Sequence, residues 1–214
     1  MYSSVIKSMV ALDDFCSRAP IIPVLSVERA SDAVPLAKAL IAGGLPVLEV
    51  TLRTDAALDV IRAMARVNGG VVGAGTVLTS SQAEEVKKAG ARFCVSPGAT
   101  EALLDACEML ELPLLAGAAT ASEVMRLMER GYRYAKFFPA EAAGGIPMLK
   151  SLNGPLPDMR FCPTGGLTPD NAADYLSLPN VVCAGGSWVA PAALVRQGGW
   201  SEIEALARQA AALR

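Results

Sequence analysis

"PVLEVTLRTDAALDVIRAMARV", residues 46–67, holds two periodicities in one stretch. Its first seven residues form a short apolar run rich in Val and Thr, as strands are. The remainder repeats apolar residues at helical spacing. Thr54 stands between the two as a candidate helix cap. One strand followed at once by one helix is a βα unit, and the same pattern recurs along the chain.

After a leading helix over Ser3 to Ser17, the strand candidates are "PIIPVLS", "PVLEVTL", "GVVGAGT", "RFCVS", "PLLAG", "YAKFF", "RFCPT" and "VVCAG". A helical pattern follows each, with Ser31, Thr54, Thr79 or Ser80, Thr120 and Thr168 as capping candidates. Gly43, Gly90 and Gly131 mark helix ends. Eight such units in 214 residues match a (β/α)8 TIM barrel with an additional N-terminal helix. No linker or change of composition divides residues 1–214, so a single domain is expected. A doubly wound open sheet is the competing arrangement, but no G-x-G-x-x-G follows the first strand.

Composition removes whole classes of function. Net charge is −2 without any run of like charges, whereas a nucleic-acid surface needs a basic stripe. No apolar window is long enough to span a bilayer, and the first residues lack a signal-peptide pattern. A cytoplasmic protein with no membrane partner is expected. The five cysteines form no CxxC pair and read as reduced thiols. There is no histidine, which excludes Ser-His-Asp and Cys-His nucleophiles within the chain and histidine-based zinc sites. Chemistry is left to Lys, Arg, Glu, Asp, Tyr, Thr and Cys.

A barrel places function at the carboxyl ends of its strands. Strand side chains alternate between faces, so Leu48, Val50 and Leu52 should face the helices. Glu49, Thr51 and Arg53 then point inward. In "YRYAKFF" the same count sets Tyr134, Lys136 and Phe138 inward and Ala135 and Phe137 outward. A buried ion pair between Lys136 and Glu49 is a poor structural filler compared with apolar side chains. A functional lysine is favoured over that bland reading. Without histidine, the chemistry open to a buried lysine is attack on a carbonyl to form a Schiff base. Glu49 suits proton transfer, and Arg53 suits the carboxylate of a small 2-oxo acid. "PTGG" (residues 163–166) and "GGSW" (residues 185–188) lie where barrels often bind phosphate. Their glycines Gly165, Gly166 and Gly186 let amides approach an anion, beside the hydroxyls of Thr164 and Ser187. A phosphosugar isomerase using Glu49 without a covalent step, or a non-catalytic binding barrel, stays open on these residues alone.

"VLEVTLRT", "GAGTVL", "SPG", "KFFPAEAAGG", "RFCPTGG" and "GGSW" occur in an order that resembles the class I 2-keto-3-deoxy-6-phosphogluconate aldolases. The resemblance implies a trimeric barrel that cleaves this phosphorylated sugar acid to pyruvate and glyceraldehyde 3-phosphate, without metal or cofactor. Many relatives also act on 4-hydroxy-2-oxoglutarate. It implies Lys136 as the Schiff-base lysine, Glu49 as the proton carrier, and Arg53 and Thr76 on the pyruvate carboxylate. It further implies pocket-lining roles for Pro97 and Phe138, an aldehyde-facing role for Thr164, and a phosphate side built by Gly165, Gly166 and Ser187. Two departures stand out. "LAGAAT" carries Ala116 where many relatives have proline, which predicts a less rigid rim. Ser26 occupies the end of the first strand, where some relatives place a phosphate-binding arginine. Arg18 precedes that strand and should lie at the opposite end of the barrel.

Overall fold

The computed structural model describes residues 2–213. Helix α1 (Tyr2–Ser17) precedes strand β1 (Ile21–Leu25), a 3-10 turn (Ala30–Asp32) and α2 (Ala33–Ala42). Units β2 (Val47–Thr51) and α3 (Ala57–Met64), β3 (Val71–Gly75) and α4 (Ser80–Ala89), and β4 (Cys94–Val95) and α5 (Glu101–Met109) follow. The second half repeats them as β5 (Leu114–Ala118) and α6 (Ala121–Glu129), β6 (Tyr134–Phe137) and α7 (Gly145–Asn153), and β7 (Arg160–Pro163) and α8 (Pro169–Leu176). Strand β8 (Ala184–Gly186) leads to α9 (Ala192–Gln197) and α10 (Trp200–Ala211).

All strand pairs are parallel, consecutive strands are neighbours, and β8 returns to lie beside β1. The ring closes through two bridges, Phe161 of β7 to Val181 before β8, and Thr164 after β7 to Gly185 of β8. This is the expected (β/α)8 barrel, not an open doubly wound sheet. Parallel strands buried on both faces need apolar residues throughout, and every residue of β1, β2 and β5 is buried. Phe137 and Phe161 lie on the helix side, edge to face at 6.3 Å between ring centres.

Helix α1 closes the amino end of the barrel. Leu12, Phe15 and Cys16 are buried, and Phe15 stacks on Phe93 at 5.4 Å. Phe93 fills the interior so closely that a Cβ on Gly73 would come within 2.3 Å of its ring.

Several local expectations differ from the structure. The eighth strand is Ala184–Gly186, not "VVCAG". Val181 is held by the turn leaving α8, its N–H donating to Leu178 O, and the chain joins β1 only where Ala184 N–H reaches Pro20 O. Ser31 lies inside the 3-10 turn and caps nothing. Thr54 likewise caps nothing: its hydroxyl donates to Val27 O at 2.7 Å and ties the β2 exit to the β1 exit. Thr79 and Thr120 are side-chain caps, joined by Thr100, which sequence reading passed over. Helix α2 does end at Gly43, but the left-handed residue is Gly44 (φ +91°). Ala116 sits fully buried in mid-strand, on the same face as its partner Ala135, so it does not shape the rim.

Candidate active site

Strands β2 and β6 stand four places apart in the eight-strand ring, on opposite walls. Only long inward side chains from these walls can meet across the barrel axis. Glu49 and Lys136 do so: Lys136 Nζ lies 3.4 Å from Glu49 Oε1, with both side chains at most 7% exposed. At 3.4 Å the contact is an ion pair but a long hydrogen bond, loose enough to rearrange around a reacting atom. The amine also sits 5.2 Å from the centre of the Phe138 ring, a cation–π distance.

Small residues make this meeting possible. A Cβ added at Gly75 would lie 2.2 Å from Glu49 Oε1. Gly117, the register partner of Lys136, lets the Pro97 backbone approach, since its Cβ would stand 2.2 Å from Pro97 C and O. Both glycines belong to the site, and sequence reading had assigned neither a role.

Above the pair opens a cavity of about 350 Å³. Lys136 lines it, together with Arg53, Thr76, Pro97 and Phe138. Thr164, Gly165, Gly166 and Ser187 also line it, so strand-end loops from around the ring converge there. Arg53 lies beyond the last residue of β2 and is exposed, available to a ligand carboxylate. Thr76 has φ +60°, a sparsely populated conformation for a β-branched residue and one that concentrates at functional sites.

Three site expectations change. Gly185, not Gly186, lines the cavity: it pairs with Ile22, two residues before the cavity-lining Val24, so strand alternation gives it the inward face. A Cβ at Gly185 would press on Thr164 Oγ1 at 2.3 Å, while one at Gly186 would strike the Trp188 ring at 2.4 Å. Tyr134, expected inward beside Lys136, does not line the cavity: it sits at the amino end of β6, and its hydroxyl donates to Asp13 of α1. Burial and that carboxylate push the Tyr134 phenol well above its ordinary value. Val24 and Leu167 join the lining and had not been singled out.

Ser26 lines the cavity, and its hydroxyl lies 2.9 Å from Thr51 Oγ1. Thr51 spends its one proton on Leu25 O at 2.8 Å, so Ser26 is the donor to Thr51. The Ser26 hydroxyl proton is therefore already used, and the other hydroxyl donors lining this cavity are Thr76, Thr164 and Ser187. Arg18 pairs with Asp14 at the amino end of the barrel, as expected from its position before β1.

Comparison with known proteins gives this geometry a lineage. The family model "KDPG and KHG aldolase" matches residues 12–206. The chain belongs to this aldolase family. The 2-dehydro-3-deoxy-phosphogluconate aldolase of Pseudoalteromonas atlantica is 54% identical over 204 residues, covering 95% of each chain. The KDPG aldolase of Legionella pneumophila, solved with pyruvate captured as a covalent carbinolamine, superimposes with a TM-score of 0.91. It is 46% identical, over 94% of this chain and 98% of that one. The aldolase of Zymomonas mobilis solved with 3-phosphoglycerate also gives 0.91 at 46% identity, over 96% and 97% of the two chains. Among the described residues, no helix is long and apolar enough to cross a membrane.

Proposed function

We propose that the chain is a class I aldolase that cleaves 2-keto-3-deoxy-6-phosphogluconate to pyruvate and D-glyceraldehyde 3-phosphate. The observation that carries this reading is the buried Lys136–Glu49 pair, whose lysine lines a cavity that Arg53 and Thr76 also line. Membership of the family and the carbinolamine seen in the Legionella relative support it.

Glu49 takes a proton from the paired Lys136 ammonium, neutral Nζ attacks the substrate C2 carbonyl, and the carbinolamine hydroxyl leaves as water with that proton, giving a protonated imine. Arg53 and Thr76 hold the adjacent carboxylate and fix which face is presented. Glu49 accepts the C4 hydroxyl proton, directly or through one water. The C3–C4 bond breaks, and its electron pair moves into the imine to leave an enamine. The aldehyde departs with its phosphate toward the loops after β7 and β8. Glu49 returns its proton to C3, and water hydrolyses the imine to release pyruvate and regenerate the amine. These steps need only the first four carbons, so 4-hydroxy-2-oxoglutarate enters the same sequence and yields pyruvate and glyoxylate. A cytoplasmic homotrimer completes the reading, on the strength of the family resemblance.

Borohydride added with pyruvate is expected to leave one stable adduct, on Lys136, in peptide mass spectrometry. An adduct on another lysine, or turnover without any adduct, would overturn the covalent route and favour a non-covalent use of Glu49. Light scattering of the same preparation checks the assembly.

A further inference from the structure

Glu141 ends the segment "KFFPAE", and Tyr175 lies in α8; neither lines the cavity. We infer that the two form a positioning pair that sets the loop of Gly165 and Gly166 for the phosphate of the substrate, an inference that rests on the placement of that phosphate proposed above.

The backbone begins the arrangement. After β6 the chain continues alongside the β7 exit: Ala140 N–H donates to Thr164 O at 2.8 Å and Glu141 N–H to Gly165 O at 3.1 Å. The Asn171 side-chain amide donates to Gly166 O at 3.3 Å. A trans peptide sets its carbonyl and the following N–H on opposite sides. Anchoring the Gly165 and Gly166 carbonyls therefore turns the amides of Gly166 and Leu167 away from Glu141 and Asn171, and both residues line the cavity. Consecutive left-handed glycines (φ +101° and +81°) let the loop follow this course.

The Glu141 side chain then fixes the loop from beneath. A Cβ on Gly166 would lie 2.5 Å from Glu141 Cγ, so the loop rests on that methylene. The carboxylate in turn accepts a hydrogen bond from the phenol of fully buried Tyr175. Gly145 closes over the phenol, since its Cβ would stand 3.0 Å from the oxygen. Burial and the Glu141 carboxylate push the Tyr175 phenol well up, so it remains a proton donor at working pH. A carboxylate beside a phosphate site is electrostatically unfavourable for binding. Its use here is mechanical: the phenol holds it in place, and the loop is shaped against it.

The test is steady-state condensation of pyruvate with D-glyceraldehyde 3-phosphate and, separately, with D-glyceraldehyde. Loss of a hydrogen bond to a charged group predicts that Tyr175→Phe raises KM for the phosphorylated aldehyde about tenfold. KM for glyceraldehyde, KM for pyruvate and both kcat values stay as in the parent. Glu141→Gln keeps an acceptor for the phenol and is expected to retain most of the phosphate preference that Tyr175→Phe loses. Equal losses with both aldehydes, or none with either, would overturn the positioning role. Ser187→Ala separates the two layers. If it too leaves the phosphate preference untouched, the placement of phosphate at these loops fails and the inference falls with it. If it lowers the preference while Tyr175→Phe does not, only the positioning pair is wrong.

Discussion

Gly75 leaves no room for a methyl group. Its Cβ would sit 2.2 Å from Glu49 Oε1 and 2.7 Å from Glu49 Cγ, and Glu49 is itself buried on all sides. A Gly75→Ala chain must therefore move the carboxylate off the axis that it shares with Lys136. Misplacement on that scale is expected to lower kcat by about 100-fold. Glu49→Gln, which keeps the shape and removes the proton carrier, should lose about 10²–10⁴-fold. Stopped assays of both variants, with circular dichroism to show that each folds, check the pair. A Gly75→Ala enzyme of parental kcat would show that Glu49 need not hold this position. Strand parity made Lys136 and Glu49 legible in the sequence because each alternation is local to five or six residues. The role of Gly75 was not legible, since "GAGT" reads equally as a turn and the clash arises only when β3 meets β2.

At the scale of elements, helix starts reveal what a sequence can and cannot carry. Thr120 accepts the Glu123 N–H, while Glu123 Oε2 accepts the N–H groups of Ala119 and Thr120 at 2.9 Å each. This capping box lies entirely within five residues, and it was visible as Thr-x-x-Glu. Thr54 is likewise a threonine before a helical pattern, but Ala57 stands where a capping box needs Glu, and its hydroxyl is taken by Val27 O across the barrel rim. Strand β8 shows the same limit: the apolar run "VVCAG" is continuous, and a tertiary contact decides where pairing with β1 begins. The box at α6 carries a prediction. The amide of Ala119 holds the Glu123 carboxyl below its ordinary value against the opposing effect of burial, with the hydroxyl and amide of Thr120 adding to it. Its stabilisation is thus complete above the ordinary carboxylate range and fades as pH falls through the lowered folded value. Thr120→Ala is expected to cost about 1 kcal/mol at neutral pH by urea titration. Glu123→Gln should lose stability there too and converge on the parent in acid. A gap between Glu123→Gln and parent that widens on acidification would contradict the assigned box.

Taken whole, the barrel separates its work between two ends. The carboxyl end holds the cavity and every cavity-lining loop, while the amino end is sealed by α1 through Leu12, Phe15 and Cys16. The leading helix was legible as a helix, but its use as a plug was not, because nothing local to residues 3–17 names Phe93 as the partner of Phe15. Between the two ends stands Phe93, which touches Phe15 below and crowds Gly73 within the barrel. Lys136 and Glu49 are positioned by strand register, and among the described residues no α1 side chain hydrogen-bonds or ion-pairs with either. Loss of the plug should therefore change stability and spare chemistry. Phe15→Ala is expected to cost about 3–5 kcal/mol through the cavity it leaves. For a chain of this length that is a fall in Tm of roughly 10 °C. At 25 °C its kcat, its KM for pyruvate and the yield of borohydride adduct on Lys136 are expected to match the parent. Calorimetry and the trapping assay on the same preparation decide the matter. A variant that keeps its Tm, or one that loses adduct formation while still folded, would show that the two ends are coupled through Phe93.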